Sequence, residues 1–416
     1  MANLLYLVHR MPYPPDKGDK VRSFHLLQHL AAQHRVFVGT FMDDPADAAH
    51  VQALRAHCAG LHISTLHPRR ARLASLAGLV SNDALTLHYY RDAGLQRWVA
   101  DTLAHESIDA VVVFSSSMAQ YAEGLTDLPV LVDFVDVDSA KWTAYADQHR
   151  WPLSWLYRRE GSRLLAYERK VAAASSRSFF STAKEAQLFV QMAPESAGHV
   201  EPMNNGVDAQ FFAPAAGRAS PFAPGETALV FTGAMDYWPN IDAVTWFARE
   251  VLPGLQPMHP DLRFHIVGRA PSAAVQALQS ASVVVTGTVP DVRPYLQHAA
   301  VVVAPLRLAR GIQNKILEAM AMARPVVAAS SCVSVLDARV GSEILQADAA
   351  ADYVRCINQL LQDPERARAV GAEGRRRVQK SYTWAAHLSV FDRHLRAAAP
   401  PRRKVQAAVH SAEAAG

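Results

Sequence analysis

One loop and the helix predicted after it concentrate side chains that could bind an anion. The loop passes through Gly311 into a helix expected to begin near Gln313. Free backbone amides at such a helix start, together with the helix dipole, favour an anion such as a diphosphate, and nearby cations add full charges. Glu318, one turn inside the helix, could accept two hydrogen bonds from a ribose diol. The residues expected at this nucleoside diphosphate site are Arg310, Gly311, Gln313, Asn314, Lys315 and Glu318.

The alternative is that Lys315 and Glu318 are solvated residues of a helix surface, but the surrounding elements favour a binding site. Short β-branched runs alternate with stretches of helical character, which is typical of βα units around a parallel sheet buried on both faces. In such folds ligands bind at the carboxyl ends of the strands, where this loop is expected to lie. The runs predict strands at 4–9, 35–41, 61–66, 110–116, 130–135 and 176–181, and again at 228–232, 263–267, 283–286, 300–304 and 325–328.

The two series of strands predict two doubly wound, Rossmann-like α/β domains in tandem. Turn residues cluster at 204–208 and an Ala/Pro/Gly-rich stretch follows at 213–225, so we place the domain boundary there. The predicted N-terminal domain is 1–203 and the predicted C-terminal domain is 204–381. Apolar residues at helical spacing predict a closing amphipathic helix at 382–396, and 397–416 has the composition of a disordered tail.

Composition and charge narrow the class of protein. The chain of 416 residues is 50% hydrophobic and 19% charged, which is typical of a folded globular protein. It has no apolar run of the roughly 20 residues that a membrane-spanning helix needs, and its N-terminus lacks the features of a signal peptide. Three scattered cysteines predict neither a disulfide framework nor a zinc site, and a formal net charge of +4 does not demand a nucleic acid partner. We expect a cytoplasmic protein that handles anionic small molecules or rests on an anionic membrane surface.

A series of short motifs runs through the second half of the chain. Its members are Asn205-Gly-Val-Asp208, Phe231-Thr-Gly233, Ile266-Val-Gly268, Gly287-x-Val-Pro-Asp-Val292, Lys315-x-Leu-Glu-Ala-Met-Ala321 with Pro325-Val-Val327, and Tyr382-Thr-Trp384. Together, and in this order, they resemble the family 4 glycosyltransferases of the GT-B fold. The N-terminal segments 12–24 and 135–142 are similar to those of sugar transferases associated with exopolysaccharide and exosortase (PEP-CTERM) gene clusters.

The resemblance implies two Rossmann-like domains facing each other across a cleft, with the closing helix crossing back to the N-terminal domain. It implies a nucleotide-sugar donor held mainly by the C-terminal domain, a glycan or lipid-linked glycan acceptor held by the N-terminal domain, and retaining hexosyl transfer between them in exopolysaccharide biosynthesis. No separate cofactor and no obligatory metal are expected. Two alternatives stay open: a nucleotide-sugar 2-epimerase of the same fold, and a non-catalytic sugar-nucleotide-binding protein.

Two departures from the family's pattern affect the expected donor site. The family commonly carries two glutamates eight positions apart; Glu318 keeps the second position, but Arg310 stands at the first. The loop after Gly233 also lacks the Arg and Lys pair that often grasps the diphosphate, so Arg269, Arg310 or Lys315 would take its place. Gly233 and Arg269 are therefore expected as further donor-binding residues, and Arg310 and Lys315 as catalytic cations that stabilise the leaving diphosphate.

On the N-terminal side, Gly18 lies in the loop after the first predicted strand. A glycine there would let the backbone approach a donor phosphate. Asp19, Lys20 and Arg22 start the next predicted helix and are expected on the acceptor side. A Gly-Asp pair alone indicates only a turn, and the family resemblance favours the functional interpretation.

Asp133, Asp136 and Asp138 form a D-x-x-D-x-D pattern at the end of the fifth predicted strand. We expect Asp136 to face the transferred sugar, where it would bond a hydroxyl group or stabilise an oxocarbenium-like transition state, with Asp138 on the acceptor side. One alternative is a D-x-D metal and nucleotide site of the GT-A type. Another is that these residues cap the following helix together with Ser139.

A basic amphipathic stretch at 68–79 places leucines opposite Arg69, Arg70 and Arg72. This composition suits an interfacial helix drawn to the anionic lipid of the inner membrane, where a lipid-linked acceptor would be found. The protein would then be peripheral on the cytoplasmic face of the membrane. The alternative is an ordinary helix packed on the N-terminal sheet with its arginines solvated.

Overall fold

The computed structural model describes residues 1–15, 18–147, 149–307 and 312–398. The chain forms two compact units: unit 1 comprises Met1–Asn204 and the C-terminal residues from Leu388, and unit 2 comprises Asn205–His387. Where a separate closing helix was expected at 382–396, helix α18 (Trp384–Ala398) begins in unit 2 and continues in unit 1. The predicted tail at 397–416 lies, from residue 399 on, outside the described residues.

Unit 1 is built on a parallel sheet of seven strands in the order β3-β2-β1-β4-β5-β6-β7. Every residue of β4, and every residue of β1 after the first, is buried. Because successive side chains of a strand point to opposite faces, burial of consecutive residues means that both faces of the sheet are covered. The strands are β1 (Asn3–Val8), β2 (Arg35–Met42), β3 (Gly60–Thr65), β4 (Ala110–Phe114), β5 (Val130–Val135), β6 (Arg177–Phe180) and β7 (Val200–Pro202).

The helices of unit 1 connect these strands. Asp92 and Thr182 cap two of them, since their side chains accept hydrogen bonds from the amides of Leu95 and Glu185. The helices are α1 (Gly18–Ala31), α2 (Val51–Arg55), α3 (Pro68–Ser75), α4 (Ala77–Ser81), α5 (Leu85–Tyr89), α6 (Ala93–His105), α7 (Asp138–Asp147), α8 (Leu153–Ala174) and α9 (Ala183–Met192).

Unit 2 contains a parallel sheet of six strands in the order β10-β9-β8-β11-β12-β13. Its strands are β8 (Thr227–Thr232), β9 (Leu262–Val267), β10 (Val283–Gly287), β11 (Val301–Ala304), β12 (Val326–Ala328) and β13 (Leu345–Gln346). Its helices are α10 (Trp238–Trp246), α11 (Leu252–Leu255), α12 (Ala273–Gln276), α13 (Arg293–His298), α14 (Asn314–Ala321), α15 (Ser330–Val333), α16 (Ala350–Gln362) and α17 (Pro364–Ser381), and a π-helical segment, Phe247–Val251, joins α10 to α11. Across the described residues of both units, no helix is long and apolar enough to span a membrane.

Both sheets share one topology. In each, the chain starts near the middle of the sheet, builds one side, and then returns to build the other side. The strand order therefore reverses between β1 and β4 in unit 1 and between β8 and β11 in unit 2. In open α/β sheets, ligands bind outside the carboxyl ends of the strands at this switch point. Residues that follow these four strands are therefore placed to contact a ligand.

The predicted α/β fold class is confirmed, because each unit is a doubly wound structure with a parallel sheet. The sequence prediction missed two edge strands, β7 and β13. They contain three and two residues, which is too short to show the alternation or the apolar run that identifies a strand.

The basic stretch at 68–79 differs from the single helix expected there. Helix α3 ends at Ser75, and α4 begins two residues later and runs to Ser81. Four apolar side chains of this segment are exposed: Leu73, Leu76, Leu79 and Val80. These leucines and the valine face the solvent, as do Arg69, Arg70 and Arg72, while Ala71 packs against the core and Ser75 is buried. Both interpretations of the segment therefore stay open.

Candidate functional site

Two glycines end neighbouring strands of unit 2 and let their backbones approach closely. Gly233 follows β8 and Gly268 follows β9. A Cβ atom on Gly268 would lie 1.7 Å from the carbonyl oxygen of Gly233, and one on Gly233 would lie 2.9 Å from Nζ of Lys315. A side chain at Gly268 would displace the backbone of Gly233, and one at Gly233 would have to move the side chains of Asn240 and Lys315. Glycine at these positions lets the two strand ends and Lys315 lie close together.

Lys315 reaches the same place from the other side of the switch point. It is the second residue of α14, the helix that follows β11. Its Nζ donates a hydrogen bond to Oδ1 of Asn240 at 2.6 Å and lies 4.1 Å from the centroid of the Phe231 ring. Burial lowers the pKa of Lys315 to about 7, although Cys332 and Glu318 oppose that shift, because a low-dielectric environment disfavours the charged form.

Glu318 lies one turn further along α14, on the same face as Lys315. Burial raises the pKa of Glu318 to about 7, and the charge of Lys315 opposes this shift. Within the part of the chain that the structure describes, its carboxylate has no hydrogen-bond partner. Burial therefore moves the pKa values of both side chains to about 7.

The other residues predicted for the donor site lie outside the described residues, at the start of α14 or on the surface. Arg310 and Gly311 lie outside the described residues. Gln313 immediately precedes α14, and Asn314 is its exposed first residue. Arg269 follows the glycine at the end of β9, but its side chain is largely exposed. The structure thus brings Lys315 beside Gly233, with Glu318 one turn further along α14, and the roles of these residues as donor ligands stay predictions.

Asn240 belongs to this site and was not predicted. Its side chain is buried; Nδ2 donates to the carbonyl oxygen of Ala234 at 2.8 Å, while Oδ1 accepts from Lys315. One amide therefore fixes both the loop after β8 and the lysine. The available signal was a Pro-Asn pair at residues 239–240, since proline is favoured in the first turn of a helix and the asparagine then lies just after the glycine loop.

In unit 1, Gly18 is the first residue of α1 and Asp19 lies in its first turn. Arg10 donates from Nη1 to Oδ2 of Asp19 at 2.8 Å, and Nε2 of His9 lies 3.5 Å from the same oxygen. Burial raises the pKa of Asp19, but the hydrogen bond from His9 and the charge of Arg10 outweigh it, so the pKa is lowered overall. Asp19 is therefore an ionised, paired carboxylate near the carboxyl end of β1.

Lys20 and Arg22 do not lie on an acceptor surface, which corrects their predicted role. Nζ of Lys20 is 2.7 and 2.8 Å from the two carboxylate oxygens of Asp47, and both side chains are buried. Arg22 donates from Nε and Nη2 to Asp133 at 2.7 and 3.0 Å, and from Nη1 to the carbonyl oxygen of Met203 at 2.8 Å. These positions of α1 face the interior, where a charge requires a buried partner. Both residues therefore hold elements of unit 1 together.

Asp136 and Asp138 share one lysine. Nζ of Lys141 lies 2.9 Å from a carboxylate oxygen of each, and Asp136 also accepts a hydrogen bond from Oγ of Ser181 at 2.7 Å. Burial raises the pKa of Asp136, but the hydrogen bonds from Lys141 and Ser181 lower it overall. In a D-x-D metal site, a cation would need the position that this ammonium group occupies.

The amides at the start of α7 are bonded to glutamates from other helices. Oε2 of Glu185 accepts from the amide of Val137 at 2.9 Å. Glu168 accepts from the amide and the hydroxyl group of Ser139 at 3.3 and 2.5 Å, and burial raises the pKa of Glu168 to about 8. Glutamates, and not the aspartates of the sequence alternative, thus accept from the amides of Val137 and Ser139.

The carboxyl ends of β4 and β5 carry unusual backbone conformations. Ser115, just after β4, has a φ of 75°, and Val135, the last residue of β5, has a φ of 69°. Positive φ is a genuine outlier for a β-branched residue such as valine. Backbone strain of this kind persists where the surrounding structure enforces it, and it is concentrated at functional sites. The carboxyl end of the unit 1 sheet is therefore a candidate functional region.

A pocket of about 630 Å³ opens at the switch point of unit 1. His9 follows β1, and Ser115 and Ser117 follow β4; all three line the pocket, together with side chains of α3, α5, α7 and α8. The sequence analysis did not identify this pocket, because its lining comes from segments scattered between residues 9 and 164. Tyrosines at 89, 90, 145 and 157 were the only signal, and no local spacing connects them.

Residues 226–363 match the model of the family described as glycosyl transferases group 1. The matched segment covers about a third of the chain and is similar to the glycosyl transferases group 1 domain, so we call it the group 1 segment. The group 1 segment contains every strand of the unit 2 sheet, and it also contains Gly233, Lys315 and Glu318. No curated protein sequence matches the chain significantly.

Solved structures extend the likeness beyond the group 1 segment to nearly the whole chain. Anabaena Alr3699/HepE in complex with UDP is 14% identical with a TM-score of 0.63, covering 95% of this chain and 100% of that one. Sucrose-phosphate synthase from Thermosynechococcus elongatus is 18% identical with a TM-score of 0.62, at 96% and 100% coverage. WaaG, a glycosyltransferase involved in lipopolysaccharide biosynthesis, is 15% identical with a TM-score of 0.55, at 94% and 98% coverage. This likeness confirms the predicted GT-B fold class.

Proposed function

We propose that this protein is a retaining glycosyltransferase of exopolysaccharide biosynthesis, which moves a hexose-type sugar from a nucleoside-diphosphate-sugar to a glycan or lipid-linked glycan. The observation that carries the proposal is that Lys315 lies beside Gly233 at the switch point of unit 2, with Glu318, which has no hydrogen-bond partner among the described residues, one turn further along α14. Anabaena HepE, of similar fold, was solved with UDP and with UDP-glucose, which supports a nucleotide-sugar donor.

The donor would be held by Lys315 and Glu318, which lie one turn apart on α14. Glu318 accepts hydrogen bonds from the ribose hydroxyl groups, and Lys315 binds the diphosphate with the backbone near Gly233. When the bond from the anomeric carbon to the phosphate oxygen breaks, negative charge grows on the leaving diphosphate, and the ammonium group of Lys315 stabilises it. Arg310 and the amide of Gly311 are proposed to complete this anion site.

The proposed transfer needs no obligatory metal. Lys315 and backbone amides would neutralise the leaving diphosphate, and the Asp136-Val-Asp138 pair already holds the ammonium group of Lys141 at 2.9 Å from each carboxylate. Asp136 is partly exposed and ionised. We assign it to the transferred sugar, where its negative charge stabilises the oxocarbenium-like transition state.

The proposed acceptor is approached at a membrane surface. The exposed apolar side chains Leu73, Leu79 and Val80 lie on the same segment as Arg69 and Arg70. Apolar side chains that enter the headgroup boundary, together with arginines that attract anionic lipid, are the two components of an interfacial helix. The enzyme would therefore act as a peripheral protein on the cytoplasmic face of the inner membrane.

The proposal is tested with a panel of nucleotide-sugars labelled in the sugar, incubated with the purified protein in the presence and absence of membrane extract. A glycosyltransferase transfers label to the extract and leaves the donor unchanged without it. A 2-epimerase converts the donor without any acceptor, and a binding protein shows no turnover in either arm. Conversion independent of the extract, or no turnover with any donor, would contradict the proposal.

A further inference from the structure

Aromatic side chains dominate the helical wall of the pocket in unit 1. Tyr89, Tyr90, Trp142, Tyr145 and Tyr157 all line it. The ring of Trp142 packs against those of Tyr157 and Tyr145, with centroid separations of 5.3 and 6.1 Å. Flat aromatic faces contact the apolar C–H face of a pyranose ring, while the phenol groups supply hydrogen bonds to its edge. The wall therefore suits a sugar ring.

The opposite side of the pocket, at the strand ends, is polar. The hydroxyl groups of Ser115 and Ser117 lie 3.1 Å apart. The His9 ring stacks on Phe114 at 5.9 Å and meets the edge of Tyr90 at 5.8 Å. Hydroxyl and imidazole groups both donate and accept hydrogen bonds, which is what recognition of sugar hydroxyls requires. A ring held by the aromatic wall would thus present its hydroxyl groups to the switch point.

The charges of the pocket leave one cation unpaired. The carboxylate of Glu160 already accepts from two backbone amides in the first turn of α5, at 2.7 and 2.9 Å. Asp138 is paired with Lys141. Among the described residues, no carboxylate lies within ion-pair distance of Arg72, which also lines the pocket. The pocket therefore offers a guanidinium group, suited to bidentate phosphate contact, with no competing free acid.

Exposed apolar side chains flank the pocket. Leu76 lines it and is 47% exposed, and Leu73, on the preceding turn, is 71% exposed. Tyr145 lines the pocket from α7 and is 48% exposed. A ligand whose polar head fills the pocket could therefore extend an apolar chain over this surface and remove it from water.

We propose that this pocket binds the anionic head of an amphiphilic acceptor: a sugar joined through a phosphate or diphosphate group to a lipid chain. The sugar stacks on the aromatic wall, the phosphate group pairs with Arg72, and the lipid chain leaves across Leu76 and Leu73. The inference rests on the proposed glycosyl transfer and deepens it by naming the chemical class of the acceptor and its site.

The test is calorimetric titration of the full chain, below the micellar concentration, with three compounds. Glucose linked through diphosphate to a farnesyl chain contains all three parts, octyl glucoside lacks the anion, and glucose 1-phosphate lacks the lipid. The farnesyl compound should bind at least tenfold more tightly than either of the others. Binding of glucose 1-phosphate as tight as that of the farnesyl compound would assign the site to a free sugar phosphate and overturn the lipid-linked acceptor.

Two variants and one control locate the contacts. Arg72→Gln should weaken binding of the farnesyl compound at least tenfold and leave octyl glucoside unchanged, whereas Tyr145→Ala should weaken both. The control is Arg163→Gln, which removes the same charge from an exposed position of α8 that does not line the pocket. Equal effects of Arg72→Gln and Arg163→Gln, or no effect of Tyr145→Ala, would overturn the inference.

Thermal stabilisation by UDP-, GDP- and ADP-sugars, measured on the same samples, separates this inference from the proposed function. If a nucleotide-sugar stabilises the protein but the farnesyl compound does not bind, the assigned acceptor is wrong and the proposed donor site stands. If no nucleotide-sugar binds while the farnesyl compound does, the pocket assignment survives and the proposed donor fails.

Discussion

The lowered pKa of Lys315 makes the affinity for a nucleotide-sugar depend on pH. In the unliganded protein, burial lowers that pKa to about 7. A diphosphate bound beside Nζ would raise it, because an opposite charge favours the ammonium form. A group whose pKa rises on binding takes up a proton, so its contribution to affinity is complete below the pKa of the free protein. That contribution is lost as the pH rises above about 7.

The size of the change in affinity follows from the fraction of Lys315 that is in the ammonium form. With a pKa of about 7 in the free protein, Lys315 is half protonated at pH 7 and about 1% protonated at pH 9. Affinity for the nucleotide-sugar should therefore fall about 50-fold between these pH values, or roughly 2.3 kcal/mol. Calorimetric titrations in buffers of different ionisation enthalpy should show uptake of about one proton per donor at pH 9.

Lys315→Arg is the matched variant, because a guanidinium group stays charged over this range and should abolish most of the dependence on pH. Glu318 also titrates near neutral pH, so the corresponding nucleoside, which has the ribose but no diphosphate, serves as a reference for that contribution. Equal donor affinity at pH 7 and pH 9, or the same decline in Lys315→Arg, would refute the assignment of Lys315 to the diphosphate.

Three further predictions concern single positions. Glu318→Gln should weaken donor binding at least tenfold, because about 1.5 to 3 kcal/mol of charge-assisted hydrogen bonding is lost. Glu250→Gln, at an exposed helix position, should leave donor binding unchanged. Equal affinities of the two variants in a titration would contradict the assignment of Glu318 to the ribose. Turnover should persist in EDTA, and Asp136→Ala should lose turnover while donor binding stays intact. If EDTA abolished turnover and Mn²⁺ or Mg²⁺ restored it, the D-x-D interpretation would be correct instead. Gly268→Ala should cost about 1 to 3 kcal/mol in a denaturant titration, because its Cβ would lie 1.7 Å from a backbone oxygen, whereas Gly198→Ala, with nothing within 4 Å, should be nearly neutral.

The architecture could be predicted from the sequence because parallel strands buried on both faces are continuous apolar runs. The four inner residues of β8, 228–231, are such a run, and the glycine after Thr232 marks the carboxyl end of the strand. The placement of Lys315 and Glu318 on a helix beyond the carboxyl end of a strand followed from the same reasoning, since α14 is the helix that follows the buried strand β11. Local sequence therefore contained the fold class and the place of α14 after β11.

Contacts between distant segments could not be predicted in this way. Lys20 and Arg22 have the spacing of cations at a helix start, yet their partners Asp47 and Asp133 are 27 and 111 residues away. A charge on a helix is solvated or buried according to the tertiary packing, which a local pattern does not contain. The hydrogen bond from Lys315 to Asn240 spans 75 residues and was missed for the same reason.

Retaining transfer from a nucleotide-sugar is the central claim, and the anomeric configuration of the product tests it most directly. The donor selected from the labelled panel is incubated with the protein and membrane extract, and the anomeric proton of the transferred sugar is followed by NMR during the first turnovers. The claim predicts that the sugar joins the acceptor with the same anomeric configuration that it had in the donor. An inverted configuration, or release of an epimerised sugar with none joined to the acceptor, would contradict it.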